Sequence, residues 1–225
     1  MASAVPVRAL VFDAYGTLFD VQSISIACED LFPGKGAELS RLWRSKQLEY
    51  SWLRSLMARY VEFETITRDA LGTACRQLGL ELTPSAAGTL MEGYRRLRLY
   101  PEVKDALSLL RVQKKTAILS NGSPAMLNAL LEHAGLSLSF DAVISVDELK
   151  TFKPFPAIYG LAVKHLGVKA DEIGFVSSNF WDIAGATSFG FRTFWINRNG
   201  GQPDELGFRP HAVVSRLDEV RQLIR

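Results

Sequence analysis

The sequence predicts an α/β fold, a parallel sheet interrupted after its first strand by a helical insertion. Three observations predict it. Short apolar runs ended by turn residues recur along the chain, helical patterns separate them, and the stretch from Val21 to Tyr94 carries helical spacing without a convincing strand.

Residues 7–12 (Val-Arg-Ala-Leu-Val-Phe) form a nearly continuous apolar run, cut off by Asp13 and then Gly16-Thr17. A run of this kind reads as a strand buried on both faces of a parallel sheet. Similar runs follow at Thr116–Leu119, Ala142–Ile144, Ile173–Val176 and Thr193–Ile196. Pro124–Ala134 places Leu127, Leu130 and Leu131 on one helical stripe, and Pro156–Leu166 does the same with Ile158, Leu161, Ala162 and Leu166. Strands alternating with helices of this length make βαβ units. Within the insertion, Leu42, Leu48, Trp52, Leu56 and Tyr60 recur at roughly helical spacing, and Ala70–Leu78 begins another helix ended by Gly79. Thr83-Pro84 fits an N-cap followed by proline at the first helical position. The division expected is a core domain over 1–20 and 95–225 around a helical subdomain over 21–94. A segment inserted there hangs over the carboxyl edge of the sheet, where ligands of open parallel sheets bind.

The 225 residues are 48% hydrophobic and 22% charged, a globular composition. With 26 basic and 24 acidic residues and no basic stripe, no nucleic-acid partner is expected. No apolar run reaches membrane-span length, and Met1 to Pro6 lacks the charged and apolar regions of a signal peptide. Cys28 and Cys75 sit in no metal-ligand spacing and read as free buried thiols in a reducing compartment. A cytoplasmic protein is expected.

Four polar clusters fall at strand carboxyl ends. They are Asp13-Ala14-Tyr15-Gly16-Thr17, Ser120-Asn121-Gly122, Lys153-Pro154, and Ser177-Ser178-Asn179-Phe180-Trp181-Asp182. Alone, each has an ordinary explanation: Ser-Asn-Gly is turn chemistry, and an aspartate before a helix is often an N-cap. Four converging on one sheet edge point to a site.

The order Phe12-Asp13-x-Tyr15-Gly16-Thr17-Leu18, then Leu119-Ser120-Asn121-Gly122, then Lys153-Pro154, then Asn179 and Asp182, resembles the haloacid dehalogenase superfamily over nearly the whole chain. The fold this implies is a Rossmann-like core with a helical cap. Mg-dependent phosphatases dominate that superfamily and carry a second aspartate two residues after the nucleophile. Here Tyr15 stands there, and the fourth motif has Asp182 as its only acid. This altered set is similar to the L-2-haloacid dehalogenase (type II) branch, as are Leu42–Tyr50 and Arg59-Tyr60-Val61-x-Phe63 in the insertion. The resemblance implies hydrolysis of short L-2-haloacids to 2-hydroxy acids with inversion, with no metal and no cofactor. The partners are the small haloacid, water and halide, and the assembly is a homodimer.

Residue by residue, the resemblance makes Asp13 the nucleophile and Lys153 its counter-charge. Thr17 orients Asp13, although an N-cap or turn hydroxyl explains it equally. Ser120 and the amides near Asn121 hold the substrate carboxylate, and Arg44 receives the halide with help from Asn121. Tyr15, Leu48, Phe63 and Trp181 wall the halogen and C2, beside Ala14, although such aromatics are more often plain core. Ser45, where the family often has glutamine, enlarges or rehydrates the halogen end. Asp182 activates water, positioned with Asn179 and Ser177, and Tyr159 braces the site or simply packs on the core. His133, His165 and His211 read as structural or exposed.

Overall fold

The computed structural model describes residues 5–225. Residues 1–4, which the expected core boundary and the signal-peptide reading include, lie outside the described residues. Six parallel strands form the sheet in the order β5-β4-β1-β6-β7-β8: β1 (Ala9–Phe12), β4 (Lys115–Ser120), β5 (Ala142–Ser145), β6 (Ile173–Ser177), β7 (Arg192–Ile196) and β8 (Ala212–Val214). Every residue of β1 and β6 is buried, which is why their sequences run apolar without alternation. Between β1 and β4 come β2 (Phe19–Asp20) and β3 (Arg98–Leu99), an antiparallel two-residue ribbon of their own.

The order reverses around β1. The chain moves outward through β4 and β5, then returns to pair β6 on the other side of β1. Ligand sites form at such a switch point, and Asp13 stands there. The tight turn after it uses Gly16 at φ +90°, a left-handed conformation that a side chain would strain.

Between the two ribbon strands lie α1 (Ser25–Leu31), α2 (Gly36–Leu56), α3 (Phe63–Gln77) and α4 (Pro84–Tyr94), with α2 packed on both α1 and α3. Thr83 caps α4, its hydroxyl accepting from Ala86 N with Pro84 in the first turn. The helical spacing expected to include Tyr60 stops at Leu56, because Ala58 turns the chain at φ +52°. The helix expected from Ala70 begins earlier, at Phe63. The remaining helices are α5 (Val103–Leu110), α6 (Pro124–Ala134), α7 (Pro156–Leu166), α8 (Phe180–Phe189) and α9 (Val220–Leu223); α6, α7 and α8 pack on the strands, and α5 packs against α9.

Both crossings between the sheet and the helical segment are tied to the β7–β8 loop. Arg198 Nη2 donates to Thr17 O at 3.0 Å and to Glu102 Oε1 at 2.8 Å, and the guanidinium lies 3.6 Å from the Tyr100 ring centroid. Among the described residues no helix is long and apolar enough to cross a membrane. Cys28 and Cys75 are free and buried, and burial pushes the Cys28 thiol up to about 12.

Candidate active site

Asp13 follows β1 and is 4% exposed. Its Oδ1 accepts one hydrogen bond, from Lys153 Nζ at 2.9 Å. Its Oδ2 accepts two, from Thr17 Oγ1 at 3.0 Å and Asn179 Nδ2 at 2.9 Å. Thr17 in turn accepts from Ser178 N at 2.9 Å, and Asn179 Nδ2 also reaches Tyr15 O at 3.1 Å.

Lys153 is 1% exposed, and all three of its ammonium protons are used. Besides Asp13 they go to Leu119 O at 2.9 Å and Asp182 Oδ2 at 2.6 Å. Burial alone would lower the lysine, but the two carboxylates outweigh it and hold it above its ordinary value. Asp182, on α8, lies fully buried between Lys153 and the Tyr159 hydroxyl, which donates to Oδ1 at 2.8 Å. Burial, with the Asp13 charge beside it, pushes Asp182 up to about 6 against the pull of Lys153.

The structure brings Asp13, Thr17, Lys153, Asn179, Asp182 and Tyr159 into one hydrogen-bonded set, from loops and elements far apart in sequence. Ser120 and Ser177 sit at its edge and serve their own loops. Ser120 Oγ accepts from Gly122 N at 3.1 Å, and Ser177 Oγ from Asn179 N at 3.1 Å. Asn121 Oδ1 accepts from Lys153 N at 3.0 Å, so it positions the lysine's backbone. Ala14 is buried, its carbonyl closing the turn to Leu18 N and Phe19 N.

Tyr15 packs on Phe63, centroids 5.8 Å apart, and its buried hydroxyl finds no hydrogen-bond partner among the described residues. Gly122 makes room for it, since a Cβ there would meet Tyr15 Cε2 at 2.9 Å. Arg44, half-buried on α2, reaches over this edge, its Nη2 3.5 Å from Tyr15 O. Leu48 is half-buried on the same helix, and Trp181 packs edge-on against Trp52. Ser45 is exposed, and the side chain that meets Arg44 is Gln47, at 2.7 Å. Gln47 was missed in the sequence; its signal was its place three residues after Arg44 on one helix. All three histidines are exposed.

An apolar cleft of about 510 Å³ opens beside the set, between Trp52, Phe152, Phe155, Trp181 and Phe208, and reaches Lys153. Asp13 is not among its walls.

The parallel-sheet core thus carries an aspartate at its switch point, and a buried lysine bridges it to a second acid. Residues 7–190 match the haloacid dehalogenase-like hydrolases, and the chain belongs to that family. It is 50% identical over 218 residues, 96% of this chain and 94% of the other, to the (S)-2-haloacid dehalogenase of Pseudomonas sp. (strain YL). It is 45% identical to the haloacetate dehalogenase H-2 of Moraxella sp. (strain B), covering 97% of this chain and 98% of that one. The structure of the L-2-haloacid dehalogenase from Xanthobacter autotrophicus with chloropropionic acid covalently bound superposes with a TM-score of 0.92 at 42% identity. That match covers 96% of this chain and 98% of that one.

Proposed function

We propose that this protein hydrolyses short-chain L-2-haloalkanoic acids, haloacetates and 2-halopropionates, to 2-hydroxy acids with inversion through an ester on Asp13. The observation that carries the reading is the Lys153 ammonium between Asp13 and Asp182, with Tyr15 where a phosphatase's second acid would stand. A carboxylate needs no base to attack carbon, because it is ionised at neutral pH.

Three of the roughly four lone-pair positions of the Asp13 carboxylate accept hydrogen bonds, and the open one is on Oδ1. That oxygen attacks C2 opposite the halogen. The halide leaves toward Arg44, and the C–O bond formed makes the ester. Water then adds to the Asp13 carbonyl carbon, the bond from that carbon to the oxygen on C2 breaks, and the 2-hydroxy acid leaves as the Asp13 carboxylate re-forms, so C2 is displaced once and its configuration inverts. Substrate and nucleophile are both anions, and Lys153, with the donors Thr17 and Asn179, offsets their repulsion. Ser120 and the amides beside Asn121 take the substrate carboxylate. Tyr15, Leu48, Phe63 and Trp181 wall C2 and the halogen. Asp182 accepts the water's proton, with Asn179 and Ser177 aligning the water. Ester formation removes the Asp13 charge that raises Asp182, so Asp182 is more readily ionised when it must act as base.

The phosphatases of this fold use Mg²⁺, and this donor set does not suit it. The ammonium occupies the gap between the two carboxylates, and Asn179 turns its Nδ2, a donor, to Asp13. A hard cation wants several oxygen ligands there. We therefore read the reaction as metal-independent. Residues 21–94 act as the cap. The exposed Leu53, Leu56 and Met57 at the end of α2 support a homodimer, and the two free thiols support a cytoplasmic location.

The test is halide release from L- and D-2-chloropropionate with and without EDTA, for the wild type and Asp13→Asn. L-selective release, indifferent to EDTA and lost in the variant, is expected. Preference for the D substrate or full activity of Asp13→Asn would overturn the reading.

A further inference from the structure

Of the charged groups given roles above, Arg44 alone stands on the helical segment. A guanidinium on a long flexible stem has no fixed aim unless something holds it. Here Gln47 does. It lies one turn further along α2 and is completely buried. Its Oε1 accepts from Arg44 Nη1 at 2.7 Å and from the Tyr94 hydroxyl at 3.0 Å. Its Nε2 donates to Thr67 Oγ1 at 2.7 Å.

The partners dictate which way the amide points. Thr67 gives its own hydroxyl proton to Phe63 O at 2.7 Å, so its oxygen is left to accept. Arginine only donates. A flipped amide would set Nε2 against a guanidinium and Oε1 against an oxygen with no proton to give. The bracket therefore has one orientation, drawn from α2, α3 and α4 through Gln47, Thr67 and Tyr94. The Tyr94 ring closes it, 5.0 Å from Trp43 and 5.9 Å from Tyr15 by centroids.

We infer that Gln47 is a positioning residue that aims the Arg44 guanidinium at the departing halide. The inference rests on the reading of Arg44 as the halide's donor. A neutral acceptor suits the task, because it holds the guanidinium without cancelling its charge, whereas a carboxylate at the same point would compete with the halide for it. Chloride is a poorer leaving group than bromide and leans harder on that donor. Ester hydrolysis involves no halide and does not depend on it.

The test uses the full-length protein as wild type, Gln47→Met, Gln47→Glu and Arg44→Lys. Single-turnover halide release is measured from L-2-chloropropionate and L-2-bromopropionate, ester decay is followed separately by rapid quench, and melting is monitored by circular dichroism. Misaiming a group by about 1 Å costs roughly a hundredfold, so Gln47→Met is expected to slow chloride release about ten- to hundredfold. Bromide release slows less, and ester decay is unchanged. If Gln47→Met does not fold, Gln47→Glu, which keeps an oxygen to accept from Arg44 and Tyr94 but loses the donor to Thr67, carries the test with the same widened gap between chloride and bromide. Equal slowing of both halides in a folded variant, or no slowing, overturns the inference. If Arg44→Lys leaves both rates intact, the assignment of Arg44 itself has failed and the inference falls with it. If Arg44→Lys is slow and both Gln47 variants are fast, only the inference falls.

Discussion

Replacing Lys153 with methionine takes away the cation between two buried carboxylates and keeps most of the side chain's bulk. The ammonium lies 2.9 Å from Asp13 Oδ1 and 2.6 Å from Asp182 Oδ2. At an effective dielectric constant near 20, each attraction amounts to about 6 kcal/mol before the cost of burial is counted. Burial takes back much of this, and removing one partner of such a pair costs about 3–5 kcal/mol. The two carboxylates left behind cannot both stay ionised, and a proton shared between them weakens the nucleophile. If that loss falls on Asp13's reactivity, 3–5 kcal/mol is a slowing of roughly two hundred- to five thousandfold. The assay is single-turnover chloride release from L-2-chloropropionate, with melting temperature measured in parallel. The double variant Lys153→Met/Asp182→Asn restores the net buried charge, so it should recover melting temperature and not rate. Chloride release by Lys153→Met at more than about a tenth of the wild-type rate, at unchanged melting temperature, would refute the argument.

Two further outcomes follow from the same geometry. Asp182 holds its proton more tightly folded, near 6, than unfolded, near 4, so the stability its neutral form contributes is full below about 4 and lost as pH rises through about 6. The melting temperature of the wild type relative to Asp182→Asn should therefore fall between those values, by the equivalent of about 3 kcal/mol at most, and a flat or rising difference would refute the assignment. Gly122→Ala drives a Cβ to within 2.9 Å of the buried Tyr15 ring and should cost about 1–3 kcal/mol, read as a drop of roughly 2–12 °C in melting temperature. An unchanged melting temperature would mean that Tyr15 has room to move.

The sheet was legible where burial on both faces wrote it as continuous apolar sequence, in β1, β4 and β6. It was not legible in β8, which is three residues long with Val213 facing out, or in the two-residue ribbon of β2 and β3. Asp13 stood out because a charged residue at the end of an apolar run needs a reason, and Lys153 because the family resemblance sets it against Asp13. The direction of a hydroxyl is not in the sequence: Ser120 and Ser177 fall in the right loops yet accept from neighbouring amides. Gln47 was invisible because a glutamine in a helix reads as surface until Thr67 and Tyr94 are seen to bury it. Ser45, beside Arg44 in sequence, is exposed because one helical step turns it by about 100°.

The two cations of the proposed site come from different parts of the chain, and a short stretch of chain around Phe152 ties one to the other. Lys153 belongs to the segment between β5 and α7, and Arg44 to α2. Phe152, immediately before the lysine, donates its backbone N–H to Ser55 Oγ on α2 at 3.0 Å. Its ring stacks on Tyr60 at 4.9 Å and meets Phe63 at 5.9 Å. Tyr60 then hydrogen-bonds Asp147, on the same segment as the lysine. The helix that carries Arg44 therefore grips the chain one residue before Lys153, while Asn121 fixes the lysine's own N–H from the sheet side. A shift of the helical segment would displace the lysine's backbone as well as the guanidinium. In the proposed reaction, displacing these contacts would disturb both the nucleophile's counter-charge and the halide's donor, which is a physical reason for a segment inserted so early in the chain to fold back against a loop so late in it.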